Sequence, residues 1–160
     1  MTILILNGPN LNRLGRRKPD IYGSKSMAQI LLEIQQRWPE VHFVYKQSNH
    51  EGDLIDWIQD TNDQISNVHT ASADRKKCQM SNFNGIVLNA GGYSHTSVAL
   101  RDAVEDCEVP VVEVHISDIT KREPFRQQSL LTDVCAHSII GKGINGYEEA
   151  IKYIIKSVRS

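Results

Sequence analysis

Five short runs rich in β-branched residues, each set apart by a polar or helix-patterned stretch, constrain this chain more than any other feature. They are ILILN (3–7), VHFVYKQ (41–47), GIVLN (85–89), VPVVEVH (109–115) and VCAHSII (134–140). Between them the apolar spacing changes to threes and fours. From Ser26, with Gln29 completing a capping box, Met27, Ile30, Leu31, Ile34 and Trp38 fall on one stripe. A second helix starts near Glu51 with Leu54, Ile55 and Ile58 inward, and a third runs from about Thr96 to Cys107. The last carries Tyr147, Ile151, Ile154, Ile155 and Val158. Strands alternating with helices imply βαβ units and a mostly parallel sheet covered on both faces. For five strands the expected α/β fold is the flavodoxin-like doubly wound sheet, order 2-1-3-4-5. Thr61 to Asn84 is polar, weakly periodic and long for a helix-to-strand connection, and it reads as an insertion between helix 2 and strand 3.

At 160 residues the chain is expected to form one domain, residues 1–160. A formal net charge of −1 gives no bulk attraction to nucleic acid or a membrane surface. Cys78, Cys107 and Cys135 are odd in number and widely spaced, with no CxxC, so they suggest neither a disulfide framework nor a zinc site. The opening apolar run is too short for a signal peptide, and no span of 18 apolar residues follows. A cytoplasmic protein is the expectation.

Ligands of a doubly wound sheet bind beyond the carboxyl ends of its strands. The chemically rich stretches lie there: NGPNLN (7–12) after strand 1, NAGGYSHTS (89–97) after strand 3, and EVHIS (113–117) with KREPFR (121–126) after strand 4. NGPN alone is a turn signal. NAGGYSHTS is either a glycine-rich link capped by Ser94 or Thr96, or a site where backbone N–H groups meet an anion or oxygen. Glu113 and His115 are two apart on a strand and so share a face. A carboxylate beside an imidazole fixes its tautomer and favours its protonated form, the requirement for a general acid, although such a pair can also be a purely structural ion pair. KREPFR reads by default as a charged helix start, with Arg126 able to grip a carboxylate through two hydrogen bonds. GKGING (141–146) matches the dinucleotide fingerprint, but that pattern needs an acidic residue about 20 positions on, and the count from Gly141 passes Ser160.

GRRKPDIYG (15–23) is a cationic, glycine-flanked segment carrying one tyrosine. Taken with its neighbours it completes a set. ILNGPNLNRLGRRKPDIYG, QSNHEGDLIDWI, NAGGYSHTSVALRDA, EVHIS and REPFR, in this order, resemble type II 3-dehydroquinate dehydratase. The resemblance implies anti elimination of water from 3-dehydroquinate through an enolate, giving 3-dehydroshikimate. That is a step of the shikimate pathway and, in some organisms, of quinate breakdown. It implies no metal or organic cofactor, and trimers assembled into a dodecamer. By position it makes Tyr22 the base, Arg17 the charge that stabilises its phenolate, and His115, oriented by Glu113, the acid. Asn10 would hold an ordered water at the enolate. Asn89, His95, Ile116, Ser117 and Arg126 would bind the ring hydroxyls and carboxylate, and Asp102 would reach a neighbouring subunit's site. The chain departs from the family at Lys18, at Asp118 and in the stretch 61–84. The alternative from another class is a non-enzymatic flavodoxin-like module that binds a mononucleotide or a partner protein. It gives Tyr22, Arg17 and the Glu113–His115 pair no role.

Overall fold

The computed structural model describes residues 1–16, 24–62 and 83–159. Tyr22, Arg17, Lys18, Cys78 and nearly all of the expected insertion lie outside them. The five strands are β1 (Thr2–Asn7), β2 (His42–Gln47), β3 (Gly85–Asn89), β4 (Val111–His115) and β5 (His137–Ile140). All their pairings are parallel, in the order β2-β1-β3-β4-β5. The helices are α1 (Met27–Arg37), α2 (Glu51–Asn62), α3 (Val98–Glu105) and α4 (Asn145–Arg159).

Because helices cover both faces, the central strands read as near-continuous apolar runs rather than alternating, with Asn7, Asn89, Glu113 and His115 toward their carboxyl ends. Ile3, Ile5, Val87, Val112 and Val114 pack against Met27, Ile30 and Ile34 of α1 and Ile151 and Ile154 of α4. Their neighbours in sequence, Leu4, Leu6, Ile86, Leu88 and Val111, point the other way, onto Leu54 and Ile58 of α2 and Leu100 and Val104 of α3. The capping box at Ser26 forms: its hydroxyl accepts from Gln29 N, and the Gln29 side chain accepts from Ser26 N. Such a cap contributes about 1 kcal/mol.

Several expected limits shift. The fourth run pairs only from Val111. β5 begins at His137 rather than Val134, because the N–H groups of Val134 and Cys135 turn back to Leu131 O. α3 is capped by Ser97, whose hydroxyl accepts from Leu100 N at 2.8 Å, and not by Ser94 or Thr96. KREPFR starts no α-helix; short 3-10 turns at Ile119–Lys121 and Pro124–Arg126 carry it. No helix among the described residues is long and apolar enough to cross a membrane.

Candidate active site

In-register pairing of Asn7 with Asn89, and of Leu88 with Glu113, brings the ends of β1, β3 and β4 to one edge of the sheet. The turns that follow interlock there. Gly8 N donates to Asn89 O at 2.8 Å, and a Cβ on Gly8 would lie 2.3 Å from Ala90 O. Only glycine lets the two strand ends approach this closely. Asn10 takes the left-handed conformation, φ 67°, which asparagine tolerates better than most residues. Its N–H is held by Asn49 Oδ1 at 2.9 Å.

A cavity of about 160 Å³ opens over this edge. Of the residues expected at a site, Asn10, Asn89, His95, His115, Ile116, Ser117 and Arg126 all line it. Glu113 stands behind His115, fully buried, with Oε1 2.7 Å from His115 Nε2. Asp102 is exposed on α3 and does not line the cavity. GKGING serves the same site in another way: Gly141 N bonds His115 O and Gly143 N bonds Ile116 O, each at 3.0 Å. The lookalike fingerprint is a brace for the end of β4.

Burial alone would raise the Glu113 pKa. Hydrogen bonds from His115, Ser129 and Thr132, with the charge of His115, hold it below the usual carboxylate value instead. An ionised carboxylate only accepts, so His115 Nε2 must donate, which leaves Nδ1 as the ring's other nitrogen. His95 Nδ1 is 2.7 Å from Gln128 O and must likewise donate. The two rings stack with centroids 6.0 Å apart.

Four functional groups escape a sequence reading. Arg13 and Arg122 line the cavity beside Arg126, and Arg122 Nη1 donates to Ser117 Oγ at 3.3 Å. Glu123 Oε2 lies 3.4 Å from Arg122 and 3.5 Å from Arg126, so three guanidinium groups against one carboxylate leave the mouth positive and suited to an organic acid. Arg122 opens the REPFR motif, and that position was its only signal. Beneath the floor, Tyr147 donates to Asn7 Oδ1 at 2.8 Å and accepts from Asn89 Nδ2 at 3.1 Å. Asn89 Oδ1 accepts from Gly91 N at 3.3 Å, so this chain of contacts reaches the glycine turn. A tyrosine in a stripe of isoleucines was the hint.

Cys107 and Cys135 are half-buried free thiols. Burial pushes the Cys135 thiol up to about 12, with the negative charge of Glu113 adding to the rise, so it is not a nucleophile near neutral pH. Among the described residues no cluster of His, Cys, Asp and Glu could hold a metal ion.

The chain is similar to known proteins over nearly its whole length. The family model described as "Dehydroquinase class II" matches residues 1–155. A 3-dehydroquinate dehydratase of Exiguobacterium sp. is 45% identical over 161 aligned residues, covering 100% of this chain and 98% of that protein. One from Bacillus subtilis is 42% identical, covering 95% of this chain and 92% of its own length. The crystal structure of the type II dehydroquinase from Butyrivibrio crossotus superposes with a TM-score of 0.83 at 36% identity, covering 97% of each chain. With fold and sequence in agreement over nearly its whole length, the chain belongs to the class II dehydroquinase family of hydro-lyases.

Proposed function

We propose that this chain dehydrates 3-dehydroquinate to 3-dehydroshikimate by anti elimination through an enolate. One observation above all supports the reading: at the cavity wall, a buried imidazole is held by a buried carboxylate at 2.7 Å. His115 Nε2 is committed to Glu113. The proton delivered to the leaving hydroxyl at carbon 1 therefore comes from Nδ1 of the imidazolium, and water leaves. Glu113 stays ionised and keeps accepting from Nε2 throughout the transfer. Asn10, which lines the cavity at the turn after β1, serves the enolate side in this reading. Asn89, His95, Ile116, Ser117 and Arg126 surround the ring and carboxylate of the substrate.

The base falls outside the described residues, and its assignment rests on the motif. Tyr22 takes the proton from carbon 2. A phenol, with an ordinary pKa near 10, needs the adjacent charge of Arg17 to act as a base at neutral pH. No metal or organic cofactor enters this scheme. The reaction belongs to the shikimate pathway, with quinate breakdown the other setting in which it occurs.

Subunits are proposed to assemble as trimers within a dodecamer, with Asp102 on the exposed side of α3 reaching a neighbour's site. Sedimentation velocity checks this, and a monomer at micromolar concentration would refute it.

The activity test is the rise in ultraviolet absorbance from the conjugated enone product when 3-dehydroquinate is added. Tyr22→Phe should lower kcat by on the order of 10²–10⁴ with KM largely kept. Turnover within a few-fold of wild type would remove the tyrosine from the mechanism, and no absorbance change with the wild-type chain would remove the activity.

A further inference from the structure

Residues 128–132, between the Pro124–Arg126 turn and β5, hold one histidine of the cavity directly and the other through Glu113. Gln128 O accepts from His95 Nδ1 at 2.7 Å. Ser129 Oγ donates to Glu113 Oε1 at 2.5 Å, on the same oxygen that accepts from His115. Thr132 Oγ1 and Ser138 Oγ each donate to the other oxygen, Oε2, at 2.9 Å. Every lone-pair direction of the carboxylate is thus occupied, two donors to each oxygen. The segment is itself anchored: Leu130 N bonds Ser94 O at 2.8 Å, Arg101 Nη1 bonds Leu130 O at 2.5 Å, and Ser129 Oγ accepts from Leu131 N at 3.1 Å.

We propose that Ser129 is a positioning residue for the elimination, acting through Glu113 to fix which nitrogen of His115 faces the cavity with its proton. Thr132 and Ser138 hold the far oxygen and set the carboxylate's place. Ser129 shares the near oxygen with the imidazole, so it leaves His115 Nε2 a single acceptor direction. Without that hydroxyl, Oε1 has a second acceptor direction open to the imidazole. The ring then loses its one orientation. The same five residues place His95, so a single segment sets the two rings to opposite tautomers: Nε2–H on His115 and Nδ1–H on His95.

This inference rests on the role given to His115 above, and its test separates the two. In the full-length chain with ring-labelled histidine, nitrogen chemical shifts at alkaline pH report the neutral tautomers. Wild type should show the two rings in opposite forms. In Ser129→Ala the His115 signals should move toward a mixture, while circular dichroism and assembly stay as in wild type. Its kcat should fall about 10-fold, about 1.4 kcal/mol in the barrier, with KM within about two-fold, because the lost contact acts on the acid and not on binding. Ser129→Thr should restore both, and Ser129→Cys, which keeps a weak donor of similar size, should fall between. In a Glu113→Gln background the Ser129→Ala loss should disappear, since residues acting through one another are not additive. Wild-type tautomers and kcat in Ser129→Ala, or the same loss in both backgrounds, would overturn the proposal. A wild-type chain with no dehydratase turnover overturns the functional reading instead, and the ring-nitrogen test still decides the role of Ser129.

Discussion

The cavity floor has two halves built from opposite materials. Under the ends of β1 and β3 lies a neutral network, Asn7–Tyr147–Asn89, in which amides and a phenol satisfy one another. At the end of β4 lies a charged one, Glu113 with His115 and three hydroxyls. Burial is equally deep in both: Asn7, Tyr147 and Glu113 are 0% exposed. Among the described residues no buried side-chain polar atom lacks a partner. The difference lies in what pH can do. Burial drives the Tyr147 phenol far above its ordinary value, with its hydrogen bonds to Asn89 and Asn7 opposing only in part. Tyr45, next in the same network, is raised for the same reason. The neutral half therefore holds shape without titrating in the physiological range. The charged half holds a carboxylate ionised beside an imidazole, and the proposed proton donor belongs to it.

The largest expected effect removes the charged half's working group. His115→Ala deletes the proposed acid, and kcat should fall by on the order of 10²–10⁴. Steady-state kinetics on 3-dehydroquinate measures it. Retention of more than about a tenth of wild-type kcat would move the acid to another residue.

The neutral half is broken by Tyr147→Phe, which keeps the ring in the core and removes one oxygen. Asn7 Oδ1 and Asn89 Nδ2 each lose a buried partner, a cost of about 1–3 kcal/mol in stability. Denaturant midpoints at constant m-value report it. Asn89 lines the cavity, so KM should rise by a few-fold while the pH dependence of kcat stays that of wild type. A displaced pH profile would mean that the two halves are not separate.

The halves also differ in how far they could be read from sequence. Glu113 and His115 were legible because a strand places residues two apart on one face, and EVH closes a strand. β3 was read at its observed limits, Gly85–Asn89, because a β-branched run bounded by turn residues is a local signal. The donors on Glu113 were not legible. Ser129, Thr132 and Ser138 lie 16, 19 and 25 residues away in sequence, in no periodic pattern, and serine is common in loops. Tyr147 lies 140 residues from Asn7, and only the folded βαβ topology brings them together. Asp102 and the base lie beyond this kind of test: one depends on a neighbouring subunit, and Tyr22 and Arg17 fall outside the described residues.

The smallest expected effect is a slope. The Glu113 carboxyl is held below its ordinary value of 4.5 in the folded chain, where donated hydrogen bonds outweigh burial. A depressed folded pKa means that the unfolded chain binds the proton more readily. Glu113 therefore contributes stability that is fully present above pH 4.5 and is lost as pH falls through the lower folded value. Glu113→Gln cannot titrate, so its unfolding free energy should fall less steeply with acid below that point. Tyr147→Phe, which changes no ionisable group of that range, should keep the wild-type slope even though its stability is lower at every pH. Urea unfolding across a series of acid pH values compares the three chains. Parallel curves for wild type and Glu113→Gln would mean that the buried carboxyl binds its proton equally in both states, and the contrast between a charged and a neutral half would lose its physical basis.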